Sequence, residues 1–453
     1  MNERQPVELA AAPPPPTTPL LYGLVDYQKD SLRFLEHLIE RYGDVLRWRM
    51  PITIHIVNHP DDVKRILSAP SERFSKQTID YKILSGSLGK GLVTNDGASW
   101  ARQRRLMQPM FHNRAINPFD APINALTNEL AARWAQLAPG TTVALEQEMS
   151  TLTFKVVGTT LFGVDVEPYA QEIAEILEVI NISTHELRAL LTLIPWLPTP
   201  HNRRSHDAVR RLDRIVYGLI NARRASGERR DDILDRLMSA RDEDDGAGMD
   251  EKQIRDEVVT LLLAGHETSA NALLWTFEQI AQHPEVEARL LDELRTELDG
   301  QPALSGDLVR LPYLKQVVQE TMRLRPPVWA IARRSHQDEV FQGFRVAAGA
   351  YMMIMPYMLH RHRDFWPNPL QFDPERFSPK RTENRHSYCY LPFAAGPRTC
   401  IGAGMAMLEI QLVIANLLPR FKVTPVPGHP LEPAAKVTLK PRYGMPVTIT
   451  PRH

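Results

Sequence analysis

Most of the chain consists of stretches in which apolar residues recur every three or four positions, a spacing that predicts amphipathic helices. Besides the longest such stretch, the predicted helices cover residues 31–41, 61–67, 126–137, 145–162, 172–193, 208–224, 285–298, 311–324 and 403–418. The longest stretch runs from residue 250 to about residue 282, or about 48 Å at 1.5 Å per residue. A helix of that length crosses a whole domain, so we expect the rest of the fold to pack around it.

Strand-like stretches are short and lie apart from one another. Strands are predicted at residues 44–50 and 52–57, separated by Pro51, and a small sheet at 339–345 and 351–355. Residues 434–450 also alternate between apolar and polar positions. Residues 70–98 have no sustained period and predict a long loop, whereas prolines at 194–200 break the helical pattern.

Composition narrows the class of protein. The 453 residues carry 54 Lys and Arg against 54 Asp and Glu, so nothing indicates nucleic acid binding. Two cysteines exclude a disulfide framework and favour a reducing compartment, so we expect a cytoplasmic protein. The proline-rich residues 1–29 predict a flexible tail without a signal peptide or membrane helix. No linker divides residues 30–453, which we expect to form a single, mainly α domain.

The chemistry is concentrated in the stretch that ends at a cysteine. Phe393, Gly396, Arg398, Cys400 and Gly402 recur at spacings that suit a thiolate bound to haem iron. Glycines let the backbone approach a porphyrin, Phe393 would cover the sulfur, and Arg398 would reach a propionate. The helix after Cys400 would stabilise negative charge on the sulfur. Cys389 is interpreted as a bystander thiol.

A second motif lies in the middle of the long helix, at residues 264–269. Gly265 would leave room for a ligand beside the helix, Thr268 offers a hydroxyl, and Glu267 an ionisable group for proton transfer. The alternatives are a packing glycine and a back-bonded threonine. A zinc protease motif would need a second histidine where the chain has Ala270.

Both motifs, in this order, resemble those of the cytochrome P-450 monooxygenases, of the bacterial type without a membrane anchor. The resemblance covers about residues 30 to 450. It implies a mainly α fold with a small β region, and haem b between the long central helix and the helix that follows the cysteine loop. Cys400 would be the axial ligand of the haem iron.

The resemblance also assigns roles to other positions. Trp100, Arg104 and Arg333 would join Arg398 at the haem propionates. Glu320, Arg323 and Arg376 would form a buried structural cluster. The expected substrate pocket is lined by Ile79, Ile83, Leu84, Leu261, Ala264, Val328, Trp329, Ile331 and Leu439. Arg102 and Arg105 have two interpretations, a docking surface for an acidic redox partner or plain surface arginines.

The resemblance implies a monooxygenase that inserts one atom of O2 into a lipophilic small molecule by hydroxylation or epoxidation. The apolar pocket fits a terpenoid, a fatty acid or another lipophilic compound. The resemblance to bacterial stand-alone members of the family favours a terpenoid or related secondary metabolite. Electrons would come from a separate ferredoxin or flavodoxin with its NAD(P)H reductase, and we expect a monomer. The alternatives are a haem-thiolate isomerase or peroxygenase on the same fold, which often lacks the Glu267 and Thr268 pair, and a non-catalytic haem gas sensor.

Overall fold

A computed structural model of the protein describes residues 11–164, 166–169, 172–173, 175–176, 179–180, 199–230, 232–242 and 246–452. The predicted class, mainly α with small β sheets, is confirmed. The α-helices, numbered in chain order, are α1 (Leu24–Lys29), α2 (Ser31–Tyr42), α3 (Pro60–Ser68), α4 (Ile79–Leu88), α5 (Gly97–Met107), α6 (Asn113–Ile116), α7 (Asp120–Ala135), α8 (Leu145–Phe162), α9 (Pro200–Ser226), α10 (Ile233–Ser239), α11 (Glu251–Gln282), α12 (Pro284–Leu298), α13 (Pro312–Leu324), α14 (Pro356–Leu359), α15 (Pro379–Thr382) and α16 (Ala403–Leu417). The β-strands are β1 (Val45–Arg49), β2 (Thr53–Val57), β3 (Phe74–Ser75), β4 (Thr142–Ala144), β5 (Ile331–Ser335), β6 (Glu339–Phe341), β7 (Phe344–Val346), β8 (Tyr351–Ile354), β9 (Phe421–Pro425), β10 (Pro433–Ala435), β11 (Leu439–Pro441) and β12 (Pro446–Pro451).

The chain folds into two compact units, each assembled from separated segments. The first unit takes the described residues up to Lys82 together with Val328–Gln371 and Asn384–Cys400. The second takes Ile83–Pro327, Phe372–Glu383 and the residues from Ile401 onwards. No change of composition marks this division in the sequence, because the segments of the two units alternate along the chain.

The first unit is built on a five-stranded sheet in the order β1, β2, β8, β5, β3. β2 and β8 run parallel and the other neighbours are antiparallel. The structure differs from the expected flexible tail over residues 11–29, which pack beside β1. The Thr18 amide donates to the Arg47 carbonyl at 3.0 Å, and Thr18 is buried. An extended, proline-containing segment can pair in this way because a sheet edge offers unpaired backbone groups.

Two predictions of secondary structure are wrong: a loop at residues 70–98 and a single strand at residues 339–345. Residues 70–98, predicted as a loop, contain β3 and α4; Leu88 is the one buried residue of α4, so the helix lacks an apolar stripe. The predicted strand 339–345 is a hairpin of β6 and β7. Its turn needs positive φ at Gln342 (46°) and Gly343 (82°), a conformation that reverses the chain.

The second unit is organised around α11. The Asp250 side chain accepts the Gln253 amide at 2.7 Å and so caps the helix start. The helix ends at Gln282, and Pro284 begins α12. α8 packs closely on α11, and two small sheets, β4-β12-β9 and β10-β11, complete the unit.

The predicted helix at 172–193 and the break at 194–200 lie largely outside the described residues. Within the described chain, no helix combines the length and the apolar character needed to cross a bilayer.

Candidate active site

The cysteine loop belongs to the first unit. The Cys400 thiol is exposed, whereas the other cysteine, Cys389, is fully buried. The Cys400 amide donates to the Phe393 carbonyl at 2.9 Å, which closes the loop around a short turn at Gly396–Arg398. The loop thus holds a single accessible sulfur in a fixed backbone frame, and three residues later the chain enters α16.

The two glycines of this loop have different surroundings. Gly396 has φ of 72°, and a Cβ there would lie 2.1 Å from the Leu67 carbonyl oxygen at the end of α3. Packing of the loop on α3 therefore requires this glycine, a reason other than the one expected from the sequence. A Cβ at Gly402 would meet nothing within 4 Å.

Two arginines of the first unit were predicted to bind propionates. Arg398 donates to the Ser71 hydroxyl at 2.8 Å. Arg333 lies in β5 and is only 3% exposed, with a hydrogen bond from Nη1 to the Ala332 carbonyl at 2.8 Å. No carboxylate of the described chain pairs with Arg333. A buried guanidinium without a counter-ion is costly, so this position fits an anionic group such as a propionate.

The remaining pocket residues of the first unit differ in exposure. Trp329 and Ile331 are buried, Ile79 is half-buried, and Val328 is 40% exposed. The Trp329 carbonyl accepts the Tyr357 amide at 3.3 Å, which fixes the backbone beside Val328.

In the second unit, α11 is buried from Ile254 to Ile280 except for a window at residues 263–265 and 267–268. Ala264 is exposed, and Gly265, Glu267 and Thr268 are half-buried. A helix buried before and after such a window faces a space there that protein atoms do not fill. The window coincides with the motif that the sequence predicted to face a ligand.

Glu267 is held by two residues at β11, Thr438 just before the strand and Lys440 within it. Lys440 Nζ lies 2.5 Å from Glu267 Oε1, and the Thr438 hydroxyl donates to the same oxygen at 2.8 Å. Burial raises the pKa of Glu267, but Lys440 and the hydrogen bond from Thr438 outweigh it and hold the pKa below its usual value. The carboxylate is therefore ionised at neutral pH, and Lys440, one-third exposed, links it to solvent.

Thr268 and Gly265 were interpreted either as ligand-facing residues or as a back-bonded threonine and a packing glycine, and the structure shows features of both. The Thr268 hydroxyl donates to the Ala264 carbonyl at 2.7 Å, so its oxygen remains an acceptor at the window. A Cβ at Gly265 would lie 3.1 Å from Val157 Cγ2 in α8, so this glycine serves helix packing. The helix stays continuous through the window.

The other predicted residues of the second unit surround the same helix. Leu261 and Leu439 are buried, whereas Ile83 and Leu84 are half-buried. The Trp275 indole of α11 donates to the Leu439 carbonyl at 3.1 Å, which fixes Leu439 relative to the window.

Helix α5 carries Trp100 and Arg104, the predicted propionate ligands of this unit. Trp100 is 8% exposed and Arg104 is half-buried. The docking interpretation of Arg102 and Arg105 is weakened, because both pair with the buried Asp242 at 2.9 Å. Their charges neutralise a buried carboxylate within the chain.

The structural cluster is brought together with almost no exposure to solvent. Arg323 donates to both oxygens of Glu320, at 2.6 and 2.7 Å, and Arg376 lies 3.3 Å from Oε1. The Asp373 amide donates to Glu320 at 2.9 Å. The carboxylate thereby ties the segment 372–383 to α13.

Sequence reasoning missed several polar residues around the window. Lys440 and Thr438 were not predicted as partners of Glu267, because they lie far from it in the chain. His266 Nε2 lies 2.8 Å from the Ser150 hydroxyl, and burial lowers the pKa of His266 to about 4. Glu409 of α16 is fully buried, and burial raises its pKa to about 8. A carboxylate within an otherwise apolar helix was the available signal for Glu409.

These observations fit a haem-thiolate group. The accessible Cys400 sulfur can serve as a thiolate ligand, and Arg333 lacks the anion that a propionate would supply. The window on α11 is the accessible stretch of an otherwise buried helix. Each feature lies within one unit, and each by itself suits a haem-thiolate cofactor.

Comparisons with known proteins agree. The family model described as Cytochrome P450 matches residues 12–446. Cyclooctat-9-en-7-ol 5-monooxygenase of Streptomyces melanosporofaciens is 34% identical over 95% of this chain and 96% of its own. Pentalenene oxygenase of Streptomyces avermitilis is 31% identical over 94% of each chain. The solved structure of retinoic acid-bound cyanobacterial CYP120A1 superposes with a TM-score of 0.87 at 25% identity, covering 98% of this chain and 100% of that one.

Proposed function

The chain belongs to the cytochrome P450 family, and from this premise we propose that it oxidises a lipophilic terpenoid with iron protoporphyrin IX as its haem. Its class is that of the cytochrome P450 monooxygenases, enzymes with a haem-thiolate cofactor and O2 as co-substrate. The observation that carries the mechanism is the Glu267 and Thr268 pair in the window of an otherwise buried helix.

Bound haem would supply the redox chemistry by which one oxygen atom enters a substrate C–H bond and the other leaves as water. Cys400 would hold the iron through its thiolate, and Arg333, Arg398, Trp100 and Arg104 would hold the propionates. The chain's own residues then bind the substrate, exclude water and supply protons.

Lys440, Glu267 and Thr268 of the second unit would supply the protons. Lys440 Nζ contacts solvent and Glu267 Oε1, so a proton can reach the carboxylate from outside. Glu267 is ionised and therefore able to accept it. The Thr268 hydroxyl donates its hydrogen to the Ala264 carbonyl, so its oxygen is able to accept a hydrogen bond at the window and to orient a proton donor there.

Two observations support the terpenoid class. The predicted pocket residues that are buried, Leu261 and Leu439 of the second unit and Trp329 and Ile331 of the first, are all apolar and offer no cation for a carboxylate. The two relatives above are named for oxidation of cyclooctat-9-en-7-ol and pentalenene, and the solved structure holds retinoic acid. All three molecules are isoprenoids, which differ widely in ring system but share an apolar branched skeleton.

The first test is the absorption spectrum of the reduced protein under carbon monoxide. We expect a strongly red-shifted Soret band that is lost in Cys400→Ala and Cys400→His. A band at the histidine-ligated position, or one unchanged by the substitutions, would withdraw the assignment of Cys400. A pyridine haemochromogen spectrum identifies the haem type.

The second test is turnover with pentalenene, cyclooctat-9-en-7-ol and palmitate, with a ferredoxin or flavodoxin and its reductase as electron donor. Oxygenated terpenoid, detected by mass spectrometry, is the expected result. Oxidation of palmitate alone would replace the substrate class. Carbon monoxide binding with neither substrate-dependent electron uptake nor product would favour a gas sensor.

A matched pair of variants tests proton supply. Thr268→Ala should lower product per electron consumed by roughly 10²-fold, the size of a lost acid–base contribution. Thr276→Ala is the control, because its hydroxyl makes the same 2.7 Å bond to a carbonyl one turn earlier but is fully buried. Equal effects of both substitutions would mean that Thr268 acts only within the helix.

A further inference from the structure

The glycine-containing segment at residues 89–92, for which the mechanism above has no role, lies directly on the central helix. Gly89 has φ of 74°, and a Cβ there would lie 2.0 Å from Asp256 Oδ1. A Cβ at Gly91 would lie 2.1 Å from Thr260 Oγ1 and 2.5 Å from the Asp256 carbonyl. Only a chain without side chains at both positions can approach α11 so closely. We call residues 89–92 the latch segment.

Two successive carboxyl groups of α11 hold the latch segment. Asp256 Oδ2 accepts the Lys90 amide at 2.8 Å, and Glu257 Oε2 accepts the Leu92 amide at 3.0 Å. Both side chains are buried, at 2% and 0% exposure. The latch is therefore attached through its backbone, which makes the attachment independent of its side chains.

The two carboxyl groups differ in charge. Asp256 is paired with Arg255 at 2.9 Å and with Lys252 at 2.7 Å, and Arg255 also pairs with Asp213 of α9. Glu257 has no cationic partner in the described chain. Burial, opposed by the Leu92 amide and assisted by Asp256, raises its pKa to about 8. Glu257 is therefore largely protonated at neutral pH, and it stabilises the fold through the hydrogen bond that it accepts from the Leu92 amide.

The other side of the latch segment is fixed by α5 and by Thr94, which lies between the latch and α5. The Gln103 side chain donates to the Lys90 carbonyl at 2.9 Å, and the Thr94 hydroxyl donates to the Gly89 carbonyl at 2.6 Å. A few residues before the latch lie Ile83 and Leu84, which were predicted to line the substrate pocket. The latch thus links the central helix, the helix of Trp100 and Arg104, and the pocket wall, all within the second unit.

We propose that Asp256 and Glu257 are positioning residues, which hold the latch segment on the central helix, steady the chain before it and thereby set how tightly the site binds a bulky ligand. The effect on ligand binding rests on the proposed function, whereas the attachment of the latch segment to the central helix does not.

Hydrogen–deuterium exchange tests the attachment without any need for haem chemistry. Glu257→Leu removes the acceptor and should speed amide exchange across residues 89–95 by about tenfold, the equivalent of one lost buried hydrogen bond. Glu257→Gln keeps an oxygen for the Leu92 amide and should stay near the parent. If Glu257→Leu exchanges like the parent, the attachment is refuted.

A second pair of variants reaches the same segment from the opposite side. Gly91→Ala places a methyl group against Thr260 and should act like Glu257→Leu. Gly86→Ala is the control, because its Cβ would meet nothing within 4 Å. Fast exchange in both glycine variants, or in neither, would contradict the steric argument.

Ligand size is tested by azole titration of the haem-loaded variants. We expect Glu257→Leu and Gly91→Ala to weaken clotrimazole, a bulky azole, about tenfold while imidazole changes less than about twofold. Equal changes for both azoles, or none, would refute the role in selectivity. A protein that shows no thiolate-ligated spectrum would instead refute the proposed function and leave the exchange result valid.

Discussion

Replacement of Glu320 by glutamine tests an ionic cluster whose central pair is fully buried. The substitution keeps the side-chain shape but removes the charge that faces Arg323 and Arg376. One amide oxygen can still accept a hydrogen bond from Arg323 or from the Asp373 amide, whereas the new amide nitrogen meets a donor. The guanidinium of Arg323, 0% exposed, loses the negative charge of Glu320 that faces it at 2.6 Å.

The expected loss follows from that burial. An exposed pair three residues apart is worth only a few tenths of a kcal/mol, which is what Glu320 and Arg323 would contribute on a surface helix. Breaking a fully buried pair costs about 3–5 kcal/mol, since the surviving charge stays desolvated. That loss is a large part of the roughly 5–15 kcal/mol that stabilises a folded domain.

The assay is urea unfolding followed by far-UV circular dichroism, with the slope compared between variants. Glu297→Gln is the control, because Glu297 pairs with Arg310 at the surface and should cost less than about 1 kcal/mol. Haem retention of the same samples, read from the Soret band, reports whether cofactor binding is lost together with stability. A loss below about 1 kcal/mol for Glu320→Gln would refute the argument from burial.

Three further predictions concern single groups. Lys440→Met removes the main influence that lowers the pKa of Glu267, so the acidic limb of the pH–rate profile should move to higher pH, as measured by kcat against pH. Gly396→Ala should reduce thiolate-ligated haem, since a residue forced to φ of 72° against a carbonyl costs about 1–3 kcal/mol, whereas Gly402→Ala should not, as read from the carbon monoxide spectrum. Because the pKa of Glu409 is raised to about 8, the parent loses stability as pH rises from about 5 to 8. Glu409→Gln should remove this loss and be more stable than the parent by roughly 2–5 kcal/mol near pH 8. Urea unfolding at several pH values checks this.

The sequence predicted well where local pattern and tertiary packing agree. The helix at 145–162 has the bounds observed for α8, and the helix predicted to begin at 250 begins at Glu251. In both, apolar periodicity and burial coincide over many turns, so tertiary contacts had nothing to override. The predicted strands 44–50 and 52–57 likewise match β1 and β2 to within two residues.

Prediction failed where the structure depends on partners far along the chain. Helix α4 has no apolar stripe, and its following segment is held by Asp256 and Glu257, more than 160 residues away. Arg102 and Arg105 were interpreted as surface arginines because nothing near them in the sequence indicates a partner. Asp242, the buried carboxylate with which both pair, lies 137 residues from Arg105. Local spacing carries no information about such pairs, and a charge is interpretable only with its partner.

The polar residues of α11 explain how so long a helix keeps its window in place. A helix that is apolar all round can rotate or slide with little change in buried area, since every face is equally suited to the core. Glu257, His266, Asn271 and Trp275 each bond a different neighbour: the latch segment, Ser150 of α8, Thr438 and the Leu439 carbonyl. A shift of one residue would leave each of these groups buried and unpaired, at about 1–3 kcal/mol apiece. The buried polar contacts therefore fix the rotation that presents Ala264 and Thr268 at the window, a task that the apolar contacts of the helix cannot perform.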